Sequence, residues 1–131
     1  MPLTCEFRNF LHFFDNFSDG NRFVCGFKDG QVGIWADSLL KSKKIFNHAD
    51  QVRNATLVAY ADNKIFAVRY SEARLHILDL ELNTLKVADH QFEKSISVIK
   101  PSGSYVAIGE YASGNVVVFD HNGNRLLVSY F

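Results

Sequence analysis

Two histidines, His48 and His90, occupy matching places in successive parts of the chain, with Asp50 close to the first. They could begin a metal site, but a zinc centre takes three or four ligands, and no further ligand follows at a recognised spacing. Loop histidines bonded within their own units are the simpler reading. Cys25 sits between Val24 and Gly26 with no His and Asp spaced around it as a nucleophile requires, so it reads as a core thiol. Asp29, Glu72 and Glu110 fall in turns, where acids are solvated or cap the turn rather than move protons. Glycine-rich phosphate loops, metalloprotease helices and nucleophile elbows are missing from the sequence. The expectation is therefore a chain that is not an enzyme, with no catalytic residue, no cofactor and no metal.

The 131 residues suit one domain with a real core. Fourteen basic and fourteen acidic residues cancel, so the sequence carries no net charge to attract phosphate backbones, and no nucleic-acid partner is expected. Only Cys5 and Cys25 are present, which fits a reduced, intracellular protein, cytoplasmic or nuclear. The first residues lack a basic stretch followed by an apolar run, so no secretory signal is read there. No apolar run approaches the roughly 18 residues of a membrane span.

The elements that would position these residues are written three times. Gly30-Gln31-Val32-Gly33-Ile34-Trp35 returns as Ala73-Arg74-Leu75-His76-Ile77-Leu78 and as Gly114-Asn115-Val116-Val117-Val118-Phe119. Trp35, Leu78 and Phe119 thus follow one another at nearly equal intervals, and that period is typical of propeller blades. Around each copy, short apolar runs alternate with turns. The first unit predicts strands over 6–14, 22–27, 30–35 and 43–46, joined through Asp19-Gly20 and the hairpin signal Asp29-Gly30. The second predicts strands over 52–60, 64–70, 73–78 and 85–87. The third predicts strands over 95–99, 104–109, 116–120 and 125–131, with Pro101 in a turn. In this alignment Phe23 falls on Phe66, Cys25 on Val68, Val32 on Leu75 and Ile34 on Ile77.

Asp29-Gly30-Gln31-Val32-Gly33-Ile34-Trp35, with an acid at the turn before a third-strand Trp, resembles the WD-repeat β-propeller family, as does Ser102-Gly103-Ser104-Tyr105-Val106-Ala107-Ile108-Gly109. His48 follows Trp35, and His90 follows Leu78, at almost the same distance, where that family places a histidine. The resemblance implies blades of four antiparallel strands and, in each, a network of His, a hydroxyl residue, a turn Asp and the third-strand Trp. Asp29, Trp35, Leu78 and Phe119 would then be structural. No unit carries the full network: the second has His48 with Glu72 and Leu78, the third His90 with Ser113 and Phe119.

The fold class read is all-β, with three four-stranded propeller-like blades over about 5–46, 48–88 and 90–131. Propellers close with about four to eight blades, so three leave two apolar outer faces. A partner supplying further blades, two copies forming a six-bladed ring, a piece of a longer chain, or a compact non-closing structure would each resolve this. The resemblance also places the usual partner surface on one end: His48, Asp50, Gln51, His90, Gln91, Phe92, Lys28 and Tyr111. Phe92 and Tyr111, aromatic residues in polar loops, are the expected anchors. The function read is a noncatalytic interaction scaffold or complex subunit. The alternative is a small-molecule or metal-binding enzyme using the His48 and His90 loops.

Overall fold

The computed structural model describes residues 11–17, 21–27, 31–36, 39–45, 56–69, 74–92, 96–110 and 113–129. Among them, β-strands are the only regular secondary structure, as the Phe, Val and Ile content favours. The strands are β1 (Leu11–Asn16), β2 (Arg22–Phe27), β3 (Gln31–Ala36), β4 (Leu39–Ile45), β5 (Thr56–Ala61), β6 (Lys64–Arg69), β7 (Arg74–Leu78), β8 (Thr84–Gln91), β9 (Ile96–Ser102), β10 (Tyr105–Glu110), β11 (Val116–Asp120) and β12 (Arg125–Ser129). They form three antiparallel meanders, β1-β2-β3-β4, β5-β6-β7-β8 and β9-β10-β11-β12. The first strands lie together, β1 beside β5 and β5 beside β9. Among the described residues no helix is long and apolar enough to cross a membrane.

The middle sheet is covered on both faces, which explains why β6 reads as the unbroken apolar run Ile65 to Val68 rather than an alternating one, while β7 buries the polar His76 among Leu75, Ile77 and Leu78. Phe66, Val68, Leu75 and Ile77 point to the third sheet and meet Val106, Ile108, Val117 and Phe119 in one core. Ile65, Ala67 and Leu78, their neighbours in β6 and β7, point the other way and meet Val24, Val32 and Ile34 of the first sheet in a second core. At roughly 1.5–3 kcal/mol for each large apolar side chain removed from water, these two cores supply the main force holding the stack.

Pairing register corrects the sequence alignment by one position. Val24 pairs with Ile34, and Phe66 with Ile77. Once Ile34 is placed on Ile77, Val24 and not Phe23 is the counterpart of Phe66, and Gly26, not Cys25, that of Val68. The hairpin between β2 and β3 is one residue shorter than its counterpart between β6 and β7, and a loop can absorb that difference without disturbing either strand pattern. Trp35, Leu78 and Phe119 remain counterparts, paired with Phe23, Ile65 and Val106.

Several boundaries also move. The described part of the first strand is Leu11–Asn16 instead of 6–14, and β8 runs on to Gln91, so His90 and Gln91 are strand residues. Pro101 lies within β9, paired with Val106, and not in the turn. Because β9 is the edge of its sheet, where alternate N–H groups face away from the ladder, a proline is tolerated there. The tight turn between β5 and β6 is made by Asp62 and Asn63, both at positive φ (54° and 55°), the conformation that a two-residue hairpin loop demands and that Asp and Asn tolerate.

Candidate functional site

One end of the sheets gathers three turns, those joining β5 to β6, β9 to β10 and β11 to β12. They border an open cleft of about 480 Å³ lined by Asp62, Lys64, Gly103, Ser104, Asp120, His121 and Asn122. His121 bridges two sheets there: its Nδ1 lies 3.4 Å from Asp62 Oδ2, and its ring is tilted against Phe66 at 5.2 Å. His121 is buried, whereas the Asp62 carboxylate is largely exposed and also stands 4.0 Å from Lys64 Nζ. The lining is polar and shallow, suited to contact with another macromolecule's surface more than to enclosing a small substrate.

Asp120 builds the last of these turns. Its Oδ1 accepts the backbone N–H groups of Asn122 and Asn124, both at 2.9 Å, and its Oδ2 accepts the Asn124 side-chain amide at 3.0 Å. Bonding from the Asn124 backbone and side chain holds the Asp120 carboxyl below its ordinary value of 3.8. Asp79 does the same for the turn between β7 and β8, with Glu81 and Asn83 as donors. Sequence reading missed this pair, although the signal was present: an Asp followed four positions later by Asn recurs at the same place in the next unit.

The opposite end carried the sequence-derived partner surface. His48, Asp50, Gln51, Lys28, Tyr111 and the turn acid Asp29 lie outside the described residues. His90 and Gln91 close β8. Arg125 Nη1 lies 3.1 Å from His90 Nδ1, and the imidazole meets Phe92 edge-on at 4.8 Å. A guanidinium at that distance opposes a bound cation, so this face of His90 is poorly suited to a metal. Among the described residues no group of three or more His, Cys, Asp or Glu could hold one.

Phe92 is the plain correction. Read as an exposed interface anchor, it is 4% exposed and part of the core between the middle and third sheets, with its ring 6.1 Å from Phe119. A polar sequence neighbourhood suggested a loop tip. Phe92, the residue immediately after β8, instead seats its ring in the core beside the third sheet. Leu78 and Phe119, assigned structural roles, are fully buried, and Trp35 stacks parallel to Phe23 at 6.3 Å. Cys25 is buried with its Sγ 3.6 Å from the Gly33 carbonyl, and burial pushes its thiol up to about 12, far from thiolate chemistry at neutral pH.

A second surface was not recognised as a site from the sequence. On the face of the third sheet turned away from the middle sheet, pairing places Val98, Tyr105, Ala107, Gly109, Val116, Val118 and Leu127 together, with the polar Lys100, Ser102 and Asp120 beside them. Val98, Tyr105 and Leu127 are 50%, 52% and 56% exposed. In the middle sheet the counterparts of Ala107, Gly109, Val116 and Val118 are Phe66, Val68, Leu75 and Ile77, which are covered by the third sheet. The signal was the unbroken run Val116-Val117-Val118-Phe119, the pattern of a strand covered on both faces.

Neither any protein-family model nor any curated protein matches this chain. Solved structures do. The computationally designed protein Ika8 superposes on 91% of the chain with a TM-score of 0.73 at 20% identity, and the designed protein Ika4 on 91% with 0.73 at 16%. Raptor from Chaetomium thermophilum superposes on 86% with 0.68 at 21% identity. At these identities the likeness is one of fold. The chain spans 36% of Ika8, 71% of Ika4 and 11% of Raptor.

Proposed function

We propose that this chain is a noncatalytic interaction module, a run of three propeller-like blades that serves as a scaffold or subunit in an intracellular complex. Its uncovered blade face is completed by further β-sheet from a partner or a second copy. The observation that carries this reading is the open face of the third sheet, whose residues occupy positions that are core in the middle sheet. Apolar surface of this kind on a soluble chain marks an interaction site. The likeness to designed propeller-like proteins and to Raptor, each longer than the matched region, supports the same frame. A protonated, buried Cys25 and a His90 faced by Arg125 favour it over the metal-binding or small-molecule enzyme.

The test is to isolate the chain from its own cells in its native assembly and compare it with Val118→Asp. Release of the variant from the assembly, with an unchanged far-ultraviolet circular dichroism spectrum, is the expected result. Retention of the assembly by the variant, or stoichiometric metal in the purified chain, overturns the reading.

A further inference from the structure

Across the open face of the third sheet, pairing sets Lys100 beside Ala107, Ala107 beside Val118 and Val118 beside Leu127, one residue from each of the four strands. At the centre of the face β10 contributes only Ala107 and Gly109, and Val98 leans across Gly109, where a Cβ would come within 2.9 Å of Val98 Cγ1. Ala107 is therefore the low point, and β11 stands next to it with the branched Val116 and Val118. Solvent reaches Ala107, Val116 and Val118, while Val98, Tyr105 and Leu127 are half exposed or more. A groove beside a ridge is a shape that fits a second copy of itself.

A twofold axis running along the strands between β10 and β11 uses that shape. It reverses the row, so Val118 of the second copy lies over Ala107, and Leu127 of the second copy lies over Lys100. The methylenes of Lys100 can cover that apolar surface while the ammonium stays in water. The strands of the two sheets remain aligned, as in sheets packed face to face. The other twofold, running along the row, sets Lys100 on Lys100 and Val118 on Val118, like charge on like charge and bulk on bulk.

Charge selects the same axis. Among the described residues that pairing places on this face, Lys100 and Asp120 alone are charged, and within one chain β10 separates their strands. Reversal of the neighbouring row, Ser102-Tyr105-Asp120, brings Asp120 of the second copy over Tyr105 and one strand from Lys100, within reach of the long lysine stem. Asp120 accepts three N–H groups from its own turn, and a carboxylate has about four acceptor sites, so it can take one bond more. Each copy supplies one cation and one anion, and the two contacts are reciprocal.

We propose that the third sheet packs face to face on the third sheet of a second copy of this chain, about a twofold axis that lays Val118 of each copy over Ala107 of the other and brings Lys100 to Asp120. The proposal rests on the propeller-like reading above and names what covers its open face.

Residue 127 gives a test that depends on the sign of a charge. The experiment measures the mass of the purified full chain by light scattering across serial dilution, for the wild type, Leu127→Lys and Leu127→Glu. The wild type is expected at twice the 14.9 kDa of the chain. Leu127 is 56% exposed, so either charge is tolerated by the fold. Leu127→Lys sets a cation over Lys100 of the second copy, and Leu127→Glu sets an anion there. The dissociation constant of the Lys variant is expected to exceed that of the Glu variant by about tenfold at low salt, a gap that closes at high salt. Ala107→Leu, which fills the low point, is expected to run as a single chain. A carbodiimide is expected to link Lys100 to Asp120, and in an equal mixture of isotope-labelled and unlabelled chains the link joins one chain of each kind.

A single-chain mass for the wild type at every concentration overturns the inference. So does a dimer that both charges at residue 127 weaken alike, or one in which no Lys100 to Asp120 link joins a labelled to an unlabelled chain. If the wild type is a single chain while Val118→Asp still leaves the native assembly, the inference fails and the propeller-like reading stands, with a different protein as its partner.

Discussion

The carboxylate of Asp15 on β1 accepts a hydrogen bond from the backbone N–H of Tyr60 on β5 at 2.8 Å. Tyr60 belongs to the edge strand of the middle sheet, and an edge N–H turned away from its own ladder needs a partner. Beside it, the Tyr60 ring stacks on Phe17 at 4.2 Å, and the Arg22 guanidinium lies over the Phe17 ring at 4.7 Å from its centroid. One charge-assisted bond and one stack therefore fix how the first sheet meets the middle one. Asp15→Ala is expected to lower the unfolding free energy by about 1–3 kcal/mol, since it leaves the Tyr60 donor unpaired. Urea denaturation checks this, and a change indistinguishable from an exposed-site control would show that water replaces the carboxylate.

Phe92→Ala is expected to destabilise the protein by about 3–5 kcal/mol, the cost of an aromatic cavity in a packed core. Leu85→Ala, at a residue 54% exposed, should stay within about 0.5 kcal/mol. Thermal or chemical unfolding of both variants settles whether Phe92 is core. Weakened partner capture with stability intact would restore the surface role that its sequence context suggested.

Cys25 should resist alkylation in the folded protein at neutral pH and react only on unfolding. Its folded pKa of about 12 lies above the ordinary 9.0, with burial the largest cause. A thiol raised in this way favours the folded state fully below pH 9, and that contribution is lost as pH climbs from 9 through 12. Cys25→Ala should flatten this alkaline limb of the stability profile. Stability against pH, followed by denaturant titration, provides the measurement.

Asp120 works in the opposite direction. Its folded pKa is depressed below 3.8, so its contribution is present above that value and lost as pH falls through the lower folded one. Asp120→Ala should remove that acid-limb component and loosen the turn from 121 to 124 selectively. Amide exchange at Asn122 and Asn124, whose N–H groups bond the carboxylate, should rise in the variant and, in the wild type, only at acid pH. Equal protection in both proteins would mean that the carboxylate does not hold the turn.

Strands, turns and the three-unit repeat were legible along the chain because they follow from local rules. Apolar runs such as Ile65 to Val68 and Val116 to Phe119 can only be strands at that length between turn residues, and Asp62-Asn63 can close a two-residue hairpin wherever it occurs. The positions of Trp35, Leu78 and Phe119 in each third strand belong to the same class of fact. The Asp79 and Asp120 turns do too, although they were not read. Three matters depended on the tertiary structure. The one-residue offset that sets Val24 against Phe66 arises in a hairpin loop, where a residue can be lost without changing any apolar pattern. The burial of Phe92 depends on Phe119, which lies in β11 of the next sheet. Which apolar faces meet one another, and that the Ala107 to Val118 face meets none among the described residues, depends on the order in which the sheets stack. Local periodicity marks a residue as suited to burial; only the neighbouring sheet decides whether it is buried.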